Sequence, residues 1–148
     1  MEICKCFKLK NENSGKYLAL TLAYVNNPTG LLTRPSSGDN WDTSTSFIPE
    51  TCSFHDNTLN IIKVNIPRDC VRITQNDLDN NLEFDSETPK RAFYITAYPT
   101  CNGLFRFVGK NIVHCVTGKY LAENWRGQVD LALKESVRDK KTLNWISI

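Results

Sequence analysis

A short segment recurs three times along this chain, at intervals of about fifty residues. Lys16-Tyr17-Leu18-Ala19-Leu20 is followed by a weaker copy, Cys70-Val71-Arg72-Ile73, and by a close copy, Lys119-Tyr120-Leu121-Ala122-Glu123. Internal repetition at a fixed period indicates an architecture assembled from copies of one supersecondary unit. The repeat therefore constrains the fold more strongly than any other feature of the sequence.

Each copy belongs to a longer unit that contains three further strand-like segments. These are the opening segments 7–9, 59–62 and 105–107, the third segments 30–32, 81–84 and 129–133, and the closing segments 46–49, 93–96 and 144–147. Four short strands in each of three units predict twelve strands, the all-β architecture of a β-trefoil. One such unit cannot bury its own apolar face. We therefore expect a single domain over residues 1–148, with pseudo-repeats at about 1–50, 51–100 and 101–148 that share one core.

Turn residues and recurring apolar residues refine this prediction. Gly15 and Gly118 immediately precede two of the Lys-Tyr-Leu copies, and glycine readily takes the positive φ that a tight hairpin turn requires. Residues that recur at the same place in each repeat are expected to line the core. They are Leu18, Leu32, Phe47, Val71, Leu82, Tyr94, Leu121, Leu131 and Trp145.

The charge balance and hydropathy limit the possible partners. Eighteen lysine and arginine residues against sixteen acidic residues leave a formal net charge of +2, which does not predict nucleic-acid binding. The basic stretch 134–141 is interrupted by Glu135 and Asp139, so we interpret it as a solvated loop. No apolar run approaches the roughly 20 residues that cross a bilayer, and we expect no membrane insertion.

Targeting signals and cysteine spacing favour an intracellular protein without a metal. The N-terminal residues lack the basic and apolar regions of a signal peptide, and the sequon-like Asn27-Pro28-Thr29 is blocked by its proline. We therefore expect a cytoplasmic or nuclear location. The six cysteines form no Cys-x-x-Cys pair and no Cys/His group with zinc spacing. We interpret them as reduced thiols and expect no metal and no cofactor.

Few residues suggest catalysis. His114 and Cys115 are neighbours in a predicted strand, where they point to opposite faces and cannot act as a base and a nucleophile together. Glu83 and Asp85 lie two residues apart, whereas a glycosidase needs two carboxyl groups that face each other across a cleft. We interpret the acidic residues as a solvated edge. Because phosphate-binding, flavin and nicotinamide motifs are also missing from the sequence, we do not expect an enzyme.

Two predicted loops place a tryptophan beside amide, carboxylate or guanidinium groups. An aromatic ring can stack on the apolar face of a sugar, and fixed polar groups can bond its hydroxyls. The alternative is that these tryptophans only cover loops or the end of the barrel, and both interpretations stay open. The candidate carbohydrate-binding residues are Tyr24, Asp39, Asn40, Trp41, Asn124, Trp125 and Arg126. Trp145, in a closing segment, is assigned to the core instead.

With these repeats, the chain resembles the β-trefoil lectins, and most closely the agglutinin domain of the amaranthin-like plant lectins. Residues 7–18, with the sequence FKLKNENSGKYL, resemble the opening strand pair of that family, and residues 30–32 and 46–50 resemble its next two strands. The likeness covers the length of one such domain. It implies a noncatalytic lectin of the cytosol and nucleus for galactose or N-acetylgalactosamine-type glycans, with sites that can form where two domains meet in a homodimer.

Two other trefoil families are similar to the chain in fewer residues. Ricin-type trefoils carry a Gln-x-Trp motif in each unit, whereas here only Leu143-Asn144-Trp145 approaches it. The segment Gly-Lys-Tyr-Leu-Ala is also similar to fascin-type trefoils, which bundle actin. The alternative function is therefore a protein-interaction β-trefoil, either an actin-binding module or a protease inhibitor.

Overall fold

The computed structural model describes residues 8–21, 31–34, 43–44, 47–49, 60–64, 81–84, 93–96 and 100–147. Regular structure in these residues is mainly β-strand, which confirms the all-β prediction. The strands are β1 (Leu9–Asn11), β2 (Tyr17–Thr21), β3 (Leu31–Arg34), β4 (Thr43–Ser44), β5 (Phe47–Pro49), β6 (Asn60–Val64), β7 (Asn81–Phe84), β8 (Phe93–Thr96), β9 (Leu104–Val108), β10 (Asn111–His114), β11 (Tyr120–Glu123), β12 (Gln128–Ala132) and β13 (Trp145–Ser147).

Three short 3-10 turns accompany these strands, at Cys101–Gly103, Lys134–Ser136 and Lys140–Leu143. The last two lie in the basic stretch 134–141, whose lysines are exposed as predicted, although the stretch is not an irregular loop. The Lys140 ammonium group closes it by donating to the carbonyl oxygens of Lys134 and Val137. In the described part of the chain, no helix has the length and apolar character needed to cross a membrane.

The described strands form one continuous antiparallel network. Their order is β13-β1-β2-β3-β12-β11-β10-β9-β6-β7-β8, with β4 beside β2 and β5 beside β6. The last strand pairs with the first, so that Leu9 lies opposite Ser147 and Asn11 opposite Trp145. Residues from the two ends of the sequence therefore complete the same sheet.

Equivalent hairpins show how the chain is divided into repeats. The first and second strands of the three units pair at Lys10↔Tyr17, Lys63↔Asn81 and Val113↔Tyr120. The second strand of each unit then pairs with the third in the same register, β2 with β3, β7 with β8 and β11 with β12. The units are thus β1-β2-β3-β5, β6-β7-β8-β9 and β10-β11-β12-β13, with β4 as an additional strand.

This pairing corrects the expected alignment of the second and third repeats. The sequence predicts residues 81–84 as a third strand and residues 105–107 as the opening of the last unit. The structure instead makes 81–84 the second strand of the middle unit, and places 105–107 in that unit's closing strand, β9. The cause is the segment 65–80 between the first and second strands of the middle unit. It is longer than the corresponding connections 12–16 and 115–119, so an alignment of the repeats at constant intervals fails there. The predicted middle copy at 70–73 lies in this segment, outside the described residues.

The closing aromatic residues are corrected for the same reason. Phe47 lies opposite Val64, Phe105 opposite His114 and Trp145 opposite Asn11, which makes these three aromatic residues equivalent. Tyr94 was expected at this position in the middle unit, but it lies in the third strand, opposite Glu83. Phe105 is therefore the residue that matches Trp145.

All three units contribute to the hydrophobic core. Its buried residues are Leu9, Leu18, Ile62, Leu82, Phe84, Phe93, Phe105, Ile112, Leu121, Val129, Leu131 and Trp145. The predicted burial is confirmed for every expected core residue in this set. The side chains of Leu32, Phe47 and Tyr94, and the whole of Val71, lie outside the described residues. Trp145 also donates its indole N–H to the Leu121 carbonyl oxygen at 3.1 Å, so its polar atom is satisfied inside the core.

The two predicted glycine turns are confirmed. Gly15 has a φ of 70° and Gly118 a φ of 68°, in the left-handed region that favours glycine. Their amide groups donate to the carbonyl oxygens of Asn11 and His114, at 2.8 and 2.7 Å respectively. Both turns therefore reverse the chain in the same way before a Lys-Tyr-Leu strand.

Candidate functional site

Strands β11 and β12 are joined by a tight turn, residues 124–127, which we call the Trp125 turn. The Gly127 amide donates to the Asn124 carbonyl oxygen at 3.0 Å, and the Asn124 amide donates to the Gln128 carbonyl oxygen at 2.8 Å. Gly127 has a φ of 74°, which a residue with a side chain rarely adopts. The two residues between Asn124 and Gly127 thus form the tip of a well-defined hairpin.

The Asn124 side chain shapes this turn. Its Oδ1 atom accepts from the backbone amides of Arg126, at 2.8 Å, and Gln128, at 3.0 Å. Its Nδ2 atom donates to the Gln128 Oε1 atom at 3.3 Å. Both acceptor positions of the amide oxygen are therefore used within the turn, and one amide hydrogen is left for a ligand.

Trp125 is 86% exposed, so it does not cover the end of the barrel. The Arg126 guanidinium carbon lies 4.6 Å from the centroid of its ring, a cation–π geometry that covers one face of the indole. The other face has solvent access. The stack orients the ring without burying it, and the predicted role of Trp125 and Arg126 in binding stays a prediction.

A buried carboxylate holds the base of the turn. Glu123, the last residue of β11, is 6% exposed, and its Oε2 atom accepts from the Ser14 hydroxyl at 2.6 Å. The register places the apolar residues Leu20 and Phe84 at the equivalent positions of the other units. Ser14 and Glu123 are far apart along the chain, so no local sequence pattern predicts this hydrogen bond.

The other candidate residues, Tyr24, Asp39, Asn40 and Trp41, lie outside the described residues. The topology still separates them into two groups. Tyr24 belongs to the segment between β2 and β3, which is equivalent to the Trp125 turn in the third unit. Trp41 and its neighbours belong instead to the segment between β3 and β5. That segment follows Arg34, and the pairing of Leu32 with Gln128 places this end of β3 on the side of the Trp125 turn.

A second polar cluster is buried between the middle and last units. Glu83 is fully buried, so its interpretation as part of a solvated acidic edge is wrong. Its carboxylate accepts from the Thr100 amide at 2.8 Å and from the Thr100 hydroxyl at 2.5 Å. A hydrogen-bonded carboxylate can be buried because its lone pairs are satisfied.

His114 belongs to the same cluster. It is fully buried, with Nε2 2.8 Å from the Asn102 carbonyl oxygen and Nδ1 2.9 Å from the Thr117 hydroxyl. Because a carbonyl oxygen only accepts, Nε2 carries the hydrogen, and Nδ1 accepts from Thr117 in the neutral ring. Burial lowers the pKa of His114, against the opposing effects of the Asn102 carbonyl and the Glu83 charge.

These contacts disfavour His114 and Cys115 as a catalytic base and nucleophile. Both ring nitrogens of His114 are engaged within the protein, and burial raises the pKa of the neighbouring Cys115 thiol, which disfavours the reactive thiolate. Cys101 and Cys115 are free thiols. Among the residues that the structure describes, no three His, Cys, Asp or Glu side chains are grouped so that they could hold a metal.

No protein-family model and no curated protein matches the chain. Solved structures do match it. It is similar to the β-trefoil of BEL, with a TM-score of 0.63 and 14% identity over 97% of this chain and 91% of that one. It is also similar to SeviL, solved with the asialo-GM1 saccharide, with a TM-score of 0.60 and 11% identity over 99% and 98%.

Two longer proteins contain a similar region. A lectin from Polyporus squamosus matches with a TM-score of 0.63 and 11% identity over 99% of this chain, which spans 49% of the lectin. Cry35Ab1 matches with a TM-score of 0.61 and 13% identity, and the chain spans 36% of its length. Likenesses at such low identity establish the fold alone. Together with the three equivalent hairpins, they show that this chain folds as a β-trefoil.

Proposed function

We propose that this protein is a noncatalytic carbohydrate-binding protein and that the Trp125 turn is its glycan-binding site. The observation that carries the proposal is a tryptophan that is 86% exposed on a turn fixed from both sides. Asn124 holds the tip, and the bond between Ser14 and Glu123 holds the base. A flat, exposed and pre-oriented indole presents the apolar surface on which a pyranose ring stacks.

The likenesses support this class of function. SeviL was solved with a saccharide, and the Polyporus squamosus lectin with the epitope Neu5Aca2-6Galb1-4GlcNAc. The resemblance to amaranthin-like lectins adds the finer parts of the proposal: galactose or N-acetylgalactosamine-type glycans, a cytoplasmic or nuclear location, and a homodimer that completes or multiplies the site. In the first unit, Asp39, Asn40 and Trp41, joined by Tyr24, are the candidates for a second site or for the other half of a site in the dimer.

A protein ligand is the second candidate. Tryptophan and arginine are enriched among the residues that dominate protein–protein binding energies, and the Trp125 turn presents one of each side by side. An actin-binding module or a protease inhibitor would use the same turn. The two functions therefore differ in their ligand and share their surface.

A glycan array followed by titration tests the proposal, with Trp125→Ala beside the wild type. We expect the variant to keep the wild-type melting temperature and to bind roughly tenfold more weakly, since aromatic stacking contributes about 1–1.5 kcal/mol. Val116→Ala is the matched control, because Val116 is 51% exposed on a turn of the same unit. Trp41→Ala, tested in parallel, shows whether the loop of the first unit contributes.

Two outcomes would contradict the proposal. Wild-type protein that binds no glycan on the array, yet captures an actin filament or a protease, would establish the second candidate. Glycan binding that is unchanged in Trp125→Ala would place the site elsewhere on the molecule.

A further inference from the structure

We propose that the Trp125 turn selects anionic glycans, in which a sugar that stacks on Trp125 carries a carboxylate or a sulfate that Arg126 binds. This inference rests on the proposed function and specifies its ligand. It follows from the charge of the turn, from the inventory of its free donors and acceptors, and from the geometry of the stack.

The charge of the turn has no carboxylate partner among the residues that the structure describes. Arg126 is exposed, and its guanidinium group contacts the Trp125 ring. The neighbouring acidic residue, Glu123, is turned inward and accepts from Ser14. An exposed positive charge next to an exposed aromatic ring favours a ligand with a negative charge.

The side chains of the turn also offer mainly donors. The Asn124 oxygen already accepts two backbone amides, and Gln128 Oε1 accepts from Asn124. What is left for a ligand is the guanidinium group of Arg126, the indole N–H of Trp125, amide hydrogens of Asn124 and Gln128, and one lone pair of Gln128 Oε1. Carboxylate and sulfate groups consist of acceptors alone, and the planar arginine fork matches them with two parallel hydrogen bonds.

The contact between Arg126 and Trp125 places a positive charge beside the ring on which a sugar would stack. The guanidinium carbon lies 4.6 Å from the indole centroid, which leaves the opposite face of the ring free for a sugar. The guanidinium N–H groups radiate from this carbon, and Arg126 is exposed, so those that do not face the ring are open to a group beyond its rim. A substituent at the edge of a stacked sugar can therefore reach Arg126 while the sugar keeps its contact with Trp125.

Three probes with one common core test the inference: lactose, 3′-sialyllactose and 3′-sulfated lactose. We expect the wild type to bind at least one anionic probe about tenfold more tightly than lactose at low salt, because charge-assisted hydrogen bonds are stronger than neutral ones. The preference should shrink with added salt, since the contact is exposed and screened. Comparison of the sialylated and sulfated probes identifies which anion is recognised.

Variants of Arg126 separate charge from geometry. Arg126→Gln should bring the affinity ratio of anionic to neutral probes close to one, and Arg126→Lys should retain part of the ratio, because it keeps the charge and loses the fork. Val116→Ala should keep the wild-type ratio. Melting temperatures establish that each variant is folded.

The outcomes distinguish this inference from the proposed function. Equal affinity of the wild type for lactose and both anionic probes would overturn the anionic preference and leave glycan binding standing. An anionic preference that persists in Arg126→Gln would also overturn it, by placing the anion elsewhere. A wild type that binds neither these probes nor any glycan on an array would overturn both proposals.

Discussion

The hairpin that begins at Asn11 and the hairpin that begins at His114 have the same backbone and different chemistry. In the first, the amide of Asn11 donates to the Lys16 carbonyl oxygen, and in the second the amide of His114 donates to that of Lys119, both at 2.8 Å. Each first residue is fully buried, and each points at the 3-10 turn that precedes its partner strand. Asn11 donates from Nδ2 to the Thr142 carbonyl oxygen at 2.9 Å, and His114 donates from Nε2 to that of Asn102 at 2.8 Å.

The comparison shows that two different side chains can make the same contact at this position. Both residues supply a side-chain N–H to a turn carbonyl group, whereas the equivalent residue of the middle unit, Val64, has no side-chain donor. Asparagine supplies the N–H without a titratable group, whereas histidine supplies it with one. Two pseudo-equivalent sites in one core therefore differ in their response to pH.

A second pair of equivalent positions differs in volume. Ala122 in β11 and Leu143 in the adjacent 3-10 turn are both buried in the last unit. The middle unit has Glu83 and Gly103 at these positions, also buried. In the last unit the strand has the small residue and the turn the large one, whereas in the middle unit the strand has the large residue and the turn the small one. Because a protein interior is close-packed, one change requires the other.

The largest effect is expected at the closing aromatic position. Trp145→Ala removes a large buried side chain and should lower the free energy of unfolding by about 3–5 kcal/mol. Trp145→Phe reproduces the residue found at position 105. It should cost about 1–3 kcal/mol, mainly for the Leu121 carbonyl group left without the indole N–H. Chemical denaturation measures both, and equal losses in the two variants would refute the equivalence of Trp145 and Phe105.

The next effect tests the exchange of volume. A Cβ atom on Gly103 would lie 3.0 Å from the Glu83 Cγ atom and 3.3 Å from the Leu82 carbonyl oxygen. Gly103→Leu should therefore destabilise the protein by about 1–3 kcal/mol through overpacking. Glu83→Ala makes the space that Leu143 uses in the last unit, so the double variant should be more stable than the sum of the two single losses predicts. Strict additivity in this double-mutant cycle would disprove the exchange.

The smallest effect concerns pH. Burial lowers the folded-state pKa of His114, so the unfolded chain takes up the proton first, and wild-type stability should fall as the pH drops below the ordinary histidine value of about 6.5. His114→Asn copies position 11 and keeps a donor for Asn102. It should change stability by about 1 kcal/mol or less at pH 8 and should lose this part of the pH dependence. Chemical denaturation from pH 8 to 5 measures the difference in free energy of unfolding between the wild type and His114→Asn. The contributions of His55 and the carboxylates are common to both proteins and largely cancel in this difference. Parallel curves would show that His114 does not titrate in this range.

Much of the fold was readable from the sequence because the signals were local. The Lys-Tyr-Leu copies, the glycines before them and the closing aromatics at 47 and 145 predict three units, and the positive φ of Gly15 and Gly118 agrees. The predicted loop around Trp125 also agrees with the structure, because asparagine followed three residues later by glycine is a common turn pattern.

The register of the middle unit was decided by tertiary structure. Strand pairing joins residues that are far apart in sequence. Because the segment 65–80 is long, Phe105 rather than Tyr94 occupies the closing position, opposite His114. The burial of Glu83 depends on Thr100 and Gly103, and the anchor of the Trp125 turn on Ser14. Periodicity and turn chemistry act over a few neighbouring residues, so the sequence determined the repeat, two of its hairpin turns and the loop that carries Trp125. Hydrogen bonds and close packing between distant residues decided which polar groups are buried and what surrounds them.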